Sequence, residues 1–214
     1  MPYSSGMEGR VLYALRTKGM ADAESVALAT GLSAIQAAGV LSELGEREWV
    51  RYRDGKRAQG WMLLGEGRVE AERLATAEIE ESGRRSLVLE LYQSFKVLDP
   101  ELKEVCTDFQ IRGDQTINDH TDPDYDAAVI SRLADIDRRV QPIIASLAEA
   151  FERFGHYGGR LDFALNQVVS GDLNWFTKPS VDSYHEVWFE LHEDLLVSLG
   201  IDRAAEMAAD AADA

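Results

Sequence analysis

The 214 residues include a single cysteine, Cys106. An internal disulfide is excluded and a zinc site cannot be built from thiolates, the cysteine usage of a reducing compartment. Long apolar runs are missing too. Nothing approaches the roughly 20 residues of a membrane helix, and residues 1–10 lack the apolar centre of a signal peptide. We therefore expect a soluble, cytoplasmic protein with no membrane partner. No Gly-rich phosphate loop follows a strand pattern, no Gly-x-Ser-x-Gly elbow is present, and no nucleophile adjoins a recognisable base. A free-standing enzyme is thus the least supported class, and no cofactor is implied. Cys106 lies in an amphipathic helical pattern and is expected to be a buried structural thiol.

Cations are also scarce, with 22 Lys and Arg against 38 Asp and Glu, a net charge of −16. The deficit is not shared evenly. Residues 1–85 hold 12 basic and 13 acidic side chains, whereas residues 86–214 hold 10 and 25. A chain that repels phosphate as a whole can still hold it where cations share one surface, and only the N-terminal part has cations enough. With 45% hydrophobic residues the chain can bury a core, so neither part is expected to be disordered except at the ends.

In the N-terminal part, Met7, Val11, Leu12 and Leu15 recur at helical spacing and Lys18-Gly19 supplies a stop, so a first helix is predicted over residues 6–18. Asp22 can cap a second helix that turns Val26, Ala27 and Ala29 inward and ends at Thr30-Gly31. Ser33 can cap a third, with Ala37, Leu41 and Leu44 on one face. A strand opens at Trp49-Val50, turns at Asp54-Gly55 as a two-residue hairpin, and returns through residues 56–64. Arg51, Arg53, Lys56 and Arg57 cluster at the hairpin tip.

The run Val26-Ala27-Leu28-Ala29-Thr30-Gly31-Leu32-Ser33, with Leu41, Leu44 and Trp49-Val50 after it, resembles the helix-turn-helix of winged-helix bacterial regulators. Leu64-Gly65-Glu66-Gly67-Arg68 is similar to the stretch that closes the wing in MarR-like and PadR-like members. The resemblance covers residues 6–75 and implies a third helix, from Ser33 to Glu46, lying in the major groove of double-stranded DNA, with residues 51–57 as a wing on phosphate or minor groove. The sequence departs from that pattern. The exposed candidates on the reading helix are Ala34, Ile35, Gln36, Ala38, Gly39 and Ser42, of which only Gln36 and Ser42 can hydrogen-bond a base, and Arg47 is the nearest cation. Position 48 is Glu where the family commonly has Gly. Two readings follow: Ser33, Gln36, Ser42, Arg47, Arg51, Arg53, Lys56 and Arg57 contact DNA, or the unit has lost its reading face and docks a protein partner.

Residues 76–86 read as a connecting helix that loosens at Ser82-Gly83. Beyond it the pattern is helical throughout. Leu87, Leu91 and Phe95 mark a helix ending before Pro100, which starts another running to Ile111. Asp122-Pro123 starts one with Val129, Leu133, Ile136 and Val140, and Pro142 opens the next with Ile143, Leu147, Phe151 and Phe154. Leu161, Leu165 and Val168 make a shorter one. Tyr184, Trp188, Leu191, Leu195 and Leu199 make the last, stopped by Gly200. The expected fold is therefore mainly α: an N-terminal winged helix of three helices plus a β-hairpin over residues 1–75, then an acidic all-α helical bundle over 87–203 and a flexible tail over 204–214.

Two clusters in the bundle could carry chemistry. The loop over residues 114–126 holds Asp114, Asn118, Asp119, His120, Asp122, Asp124 and Asp126, but it lacks the Gly and Glu positions of a Ca²⁺ loop. The last helix holds His185, Glu186, Glu190, His192, Glu193 and Asp194. Its histidines are seven residues and so roughly 10 Å apart, too far for one metal. No metal site is assigned. Glu186, Glu190 and Glu193 are expected on the wet face. Trp175, Phe176, Tyr184, Trp188 and Phe189 crowd nearby, and His120, Trp175, Tyr184, His185, Trp188 and His192 are the candidates for a small-molecule effector pocket. The function expected is a DNA-binding, homodimeric transcriptional regulator whose bundle senses an effector or dimerises. The alternative is an accessory partner of an enzyme that uses the N-terminal unit for docking.

Overall fold

The protein is described by a computed structural model covering residues 1–56 and 58–206. Helix α1 (Met7–Lys18) ends at Gly19, which takes φ 72°, and leads into a two-residue strand β1 (Met20–Ala21). Helix α2 (Ala23–Thr30) begins where the Asp22 carboxylate accepts the Ser25 N–H at 2.7 Å and ends on left-handed Gly31. Helix α3 (Ala34–Glu46) follows, then β2 (Val50–Asp54), β3 (Gln59–Leu63) and α4 (Gly65–Glu81). The three strands form one antiparallel sheet in the order β1-β3-β2. Val11, Leu12, Leu15, Val26, Leu41, Leu44 and Val50 make its core, closed by Ala71 and Ala75 of α4.

Two details differ from the sequence expectation. Strand β1 was not foreseen, because two residues carry no periodicity. It reaches β3 since Gly60 has no Cβ: one there would stand 2.9 Å from the Ala21 carbonyl. The hairpin turn is also longer than two residues. Asp54 pairs with Gln59, so Asp54 belongs to the ladder and residues 55–58 form the connection. Arg57 lies outside the described residues.

The second half comprises α5 (Arg85–Gln110), α6 (Pro123–Ala150), a 3-10 turn (Glu152–Phe154), α7 (Gly155–Val169), a short α8 (Asn174–Thr177) and α9 (Tyr184–Leu199). Pro100 and Pro142 do not start helices; they lie inside α5 and α6. An internal proline removes one backbone hydrogen bond and costs about 3 kcal/mol. Phe95, Leu98, Leu102 and Val105 across the first, and Val140, Ile144 and Leu147 across the second, are buried on one continuous face. At about 1.5–3 kcal/mol each, that burial outweighs the break.

Residues 82–84, with Gly83 at φ 66°, separate α4 from α5, inside the connection expected from the sequence. Helix α4 is more than a connector. Its Ala71 and Ala75 belong to the first core and its Ile79 to the second. Helix α9 packs against α1 and α4 as well as α5, α7 and α8, so the two halves share one packed junction. The tail is not free along its whole predicted length. Glu206 is buried and accepts hydrogen bonds from Tyr92 and His192, and the rest of the expected tail lies outside the described residues. Among the described residues, no single helix is long and apolar enough to cross a membrane.

Candidate nucleic-acid interface

Helix α3 opens with a capping box. The Ser33 hydroxyl oxygen accepts the Gln36 N–H at 3.3 Å, and the Gln36 side-chain oxygen accepts the Ser33 N–H at 3.0 Å and its hydroxyl at 2.9 Å. This satisfies orphan donors of the first turn. It also engages the Ser33 hydroxyl and the Gln36 side-chain oxygen, both expected to face DNA, and leaves the exposed Gln36 amide nitrogen without a described partner. Arg47, at the other end, is held by Glu8 at 2.5 Å and stacks its guanidinium 4.1 Å over the Trp49 ring. Of the reading-helix candidates, Ser42 alone is exposed with its side chain free of described partners. The rest of the outer face is Ala34, Ile35, Ala38 and Gly39, all exposed, and Ile35 keeps 87% of its surface. Glu48 takes φ 58°, the left-handed conformation usually left to glycine, so the turn from α3 to β2 is tight despite the missing glycine.

The hairpin is different. In the N-terminal half Arg10, Arg16, Lys18, Arg47, Arg73 and Arg85 each hold a carboxylate, and Arg84 binds the Ala150 and Met1 carbonyls. Arg51, Arg53 and Lys56 are exposed and pair with no described carboxylate, nor does Arg68 near the start of α4. Arg51 and Arg53, two residues apart on β2, project from one face of the sheet. Tyr52, on the opposite face, meets Trp61 edge-on at 5.5 Å and stiffens the ribbon.

The six residues expected to line an effector pocket are not brought to one cavity. Tyr184 and Trp188 are buried in the bundle core: the Tyr184 hydroxyl donates to Asp137 at 3.1 Å and the Trp188 indole N–H donates to Asp99 at 3.0 Å. Trp188 stacks on Phe95 at 4.5 Å. His192 is buried between Glu206 and Asp99, His185 is half-exposed beside Glu186, and Trp175 packs edge-on against Phe163. His120 lies far along the chain, 4.7 Å from Phe109 and 3.1 Å from Asp126. Its loop is closed on itself: Asp114 accepts from Thr116, Asp119 from Thr121, Asp122 from Tyr125, and Asn118 donates to Asp126. Among the described residues, no group of three or more His, Cys, Asp or Glu side chains is placed to hold a metal ion. Cys106 is buried, and desolvation pushes its thiol up to about 12.

The largest departure is in α9: Glu190 and Glu193, expected on a wet face, are buried, as is Asp194, and of the expected wet face Glu186 alone is half-exposed. Glu190 binds Lys18 of α1 at 2.9 Å and Arg160 of α7 at 2.8 Å. Glu193 meets Arg203 and, at 3.5 Å, Arg16 of α1. Asp194 holds Arg153, whose guanidinium also lies 3.4 Å from Glu78 of α4 and 4.9 Å over the Tyr13 ring of α1. Burial works against the charge on Arg153, but Asp194, Tyr13 and Glu78 together keep it firmly protonated. Beside it burial, helped by the charge on Arg160, pushes His156 down to about 4 and keeps it neutral. Arg153 thus ties the N-terminal unit to the bundle. Local pattern could not reveal it, because its partners lie 41, 75 and 140 residues away in sequence.

No protein-family model, no curated protein and no solved structure matches the chain.

Proposed function

We propose that residues 1–75 are a winged helix that grips double-stranded DNA with its hairpin, and that the bundle, fixed to it through α9, makes the protein a transcription-regulator-type DNA-binding protein. Two features support this reading: the order helix, strand, helix, helix, strand, strand, and the resemblance of residues 26–33 and 64–68 to winged-helix regulators. One observation carries the DNA claim. In a protein of net charge −16, the N-terminal cations that have no carboxylate or carbonyl partner among the described residues gather on the hairpin and the helix after it.

Fluorescence anisotropy with a labelled duplex of about 25 base pairs, titrated with salt, tests this. With Arg51, Arg53, Lys56 and Arg57 all on phosphate, the slope of log K against log salt is about −3.6 for one wing and about twice that for the homodimer expected from the sequence. Replacing the four by Ala should abolish binding. A wild-type protein that binds no duplex at low salt would sink the proposal.

A second reading is favoured by one specific feature. Leu28, 78% exposed, lines an apolar hollow with Ala27, Leu32 and Ala34 at the α2–α3 corner, and Ile35, the next residue along α3, is 87% exposed. Such a patch suits a protein partner, and the unit would then dock rather than bind DNA.

A further inference from the structure

We infer that this interface holds the duplex through its phosphates, with base discrimination no finer than A·T against G·C; the inference rests on the DNA-binding reading above. Sequence is read in the major groove by side chains that present hydrogen-bond donors and acceptors to base edges, most often Arg, Lys, Asn or Gln. Each such group on or beside α3 is accounted for. Gln36 spends its Oε1 and Ser33 its hydroxyl on each other across the helix start, which leaves Gln36 only its amide N–H donors and not the paired donor and acceptor that adenine requires. Arg47 is pinned by Glu8 on one side and the Trp49 ring on the other. Glu43 and Glu46 are exposed but carry the charge of the phosphates they would approach. What remains is Ser42 and the Gln36 amide N–H donors, neither of which supplies the bidentate donor-and-acceptor contact, and a surface of Ala34, Ile35, Ala38 and Gly39 without hydrogen-bonding side chains.

The free cations lie elsewhere. Arg51 and Arg53 project from the sheet and Lys56 from the connection, where a winged helix meets the sugar-phosphate backbone or minor groove. Minor-groove edges distinguish A·T from G·C and little more. Contacts to phosphate set register and affinity without carrying sequence. Affinity and specificity are thus separated in space: the part that can attract DNA reads it no finer than A·T against G·C, and the part placed to read it has most of its polar groups committed to its own fold.

Selection of bound duplexes from a random library with the full chain, followed by anisotropy on individual duplexes of equal length, tests the inference. Expected are recovered sequences with no motif beyond A·T content, affinities within about threefold of one another, and one salt slope common to all. A bidentate base contact would instead discriminate about 5- to 150-fold per base pair. Convergence on a motif with such preferences would overturn the inference while leaving the DNA-binding reading standing. Failure to bind any duplex at low salt would overturn both and favour a protein partner for the Leu28 and Ile35 patch. As a control, Ser42→Ala should leave relative affinities unchanged within twofold, and a larger change would show that α3 does read bases.

Discussion

Helices α3 and α9 are of similar length and both looked amphipathic, yet their surfaces are sorted in opposite ways. Helix α3 turns alanine and isoleucine toward solvent, whereas α9 turns glutamate, histidine and aspartate into the interior. Position in the architecture decides this. Helix α3 packs against α1, α2 and β2 on one side, and among the described residues none covers Ala34, Ile35, Ala38, Gly39 and Ser42 on the other. Helix α9 is enclosed by α1, α4, α5, α7 and α8, so its polar positions face other elements, and each buried carboxylate there meets a cation delivered by another element. A buried charge is costly unless paired, and a pair brought from distant sequence leaves no local trace.

The largest expected effect comes from breaking that pairing. Arg153→Met removes the cation that faces Asp194 and Glu78 while keeping much of the side-chain volume over Tyr13 and Phe154. Leaving a buried carboxylate unpaired costs about 3–5 kcal/mol. Urea unfolding followed by circular dichroism should show a loss of that size. A loss below about 1 kcal/mol would mean that water reaches the network and that α9 is not enclosed in solution. Adding Asp194→Asn to Arg153→Met should restore part of the loss, since the second substitution removes a charge left without its partner.

Much of the architecture was legible because it rests on local signals. Asp22 and Ser33 cap as expected, Gly19, Gly31 and Gly200 stop their helices, and the sequence spacing of Val26, Leu41 and Leu44 matches their burial. The misplaced helix starts at Pro100 and Pro142 show where local propensity yields to a long buried face. The candidate interface was legible in part. Arg51, Arg53 and Lys56 are exposed as expected, but the commitment of Gln36 to Ser33 and of Arg47 to Glu8 depends on side-chain partners that residue type alone does not reveal. The aromatic cluster failed as a pocket for a similar reason: Phe95, Tyr184 and Trp188 fill one another's space, with Asp99 and Asp137 satisfying the polar ends.

On the α3 side the comparison can be sharpened with Gly39→Ala. Gly39 lies inside the helix, its φ is not positive, and an added Cβ would meet nothing within 4 Å. The alanine should therefore stabilise the protein by about 1 kcal/mol through helix propensity. Duplex affinity should not change, because a face that does not read bases need not approach them closely. A gain in stability accompanied by a tenfold loss of affinity would show that the bare backbone at Gly39 meets the DNA.

The smallest effect concerns a buried carboxylate that meets no cation among the described residues. Asp137 lies in the core, where its Oδ1 accepts from Gln141 at 3.0 Å and from the Tyr184 hydroxyl of α9 at 3.1 Å. Burial raises its pKa above the ordinary carboxylate value, and those two hydrogen bonds offset only part of the rise. Between the unfolded value, about 3.9, and the higher folded one, the folded chain keeps a proton that the unfolded chain has released. Its contribution to stability is therefore fully present below about pH 4 and lost as pH rises through the folded pKa. Asp137→Asn keeps an oxygen to accept both hydrogen bonds and removes the titration. Urea midpoints measured from pH 3.5 to 7 should run in parallel for the two proteins at the acid end and diverge above it, with the variant falling less. Parallel curves throughout would mean that Asp137 ionises as an exposed carboxylate does, and that the core around Tyr184 is open to water.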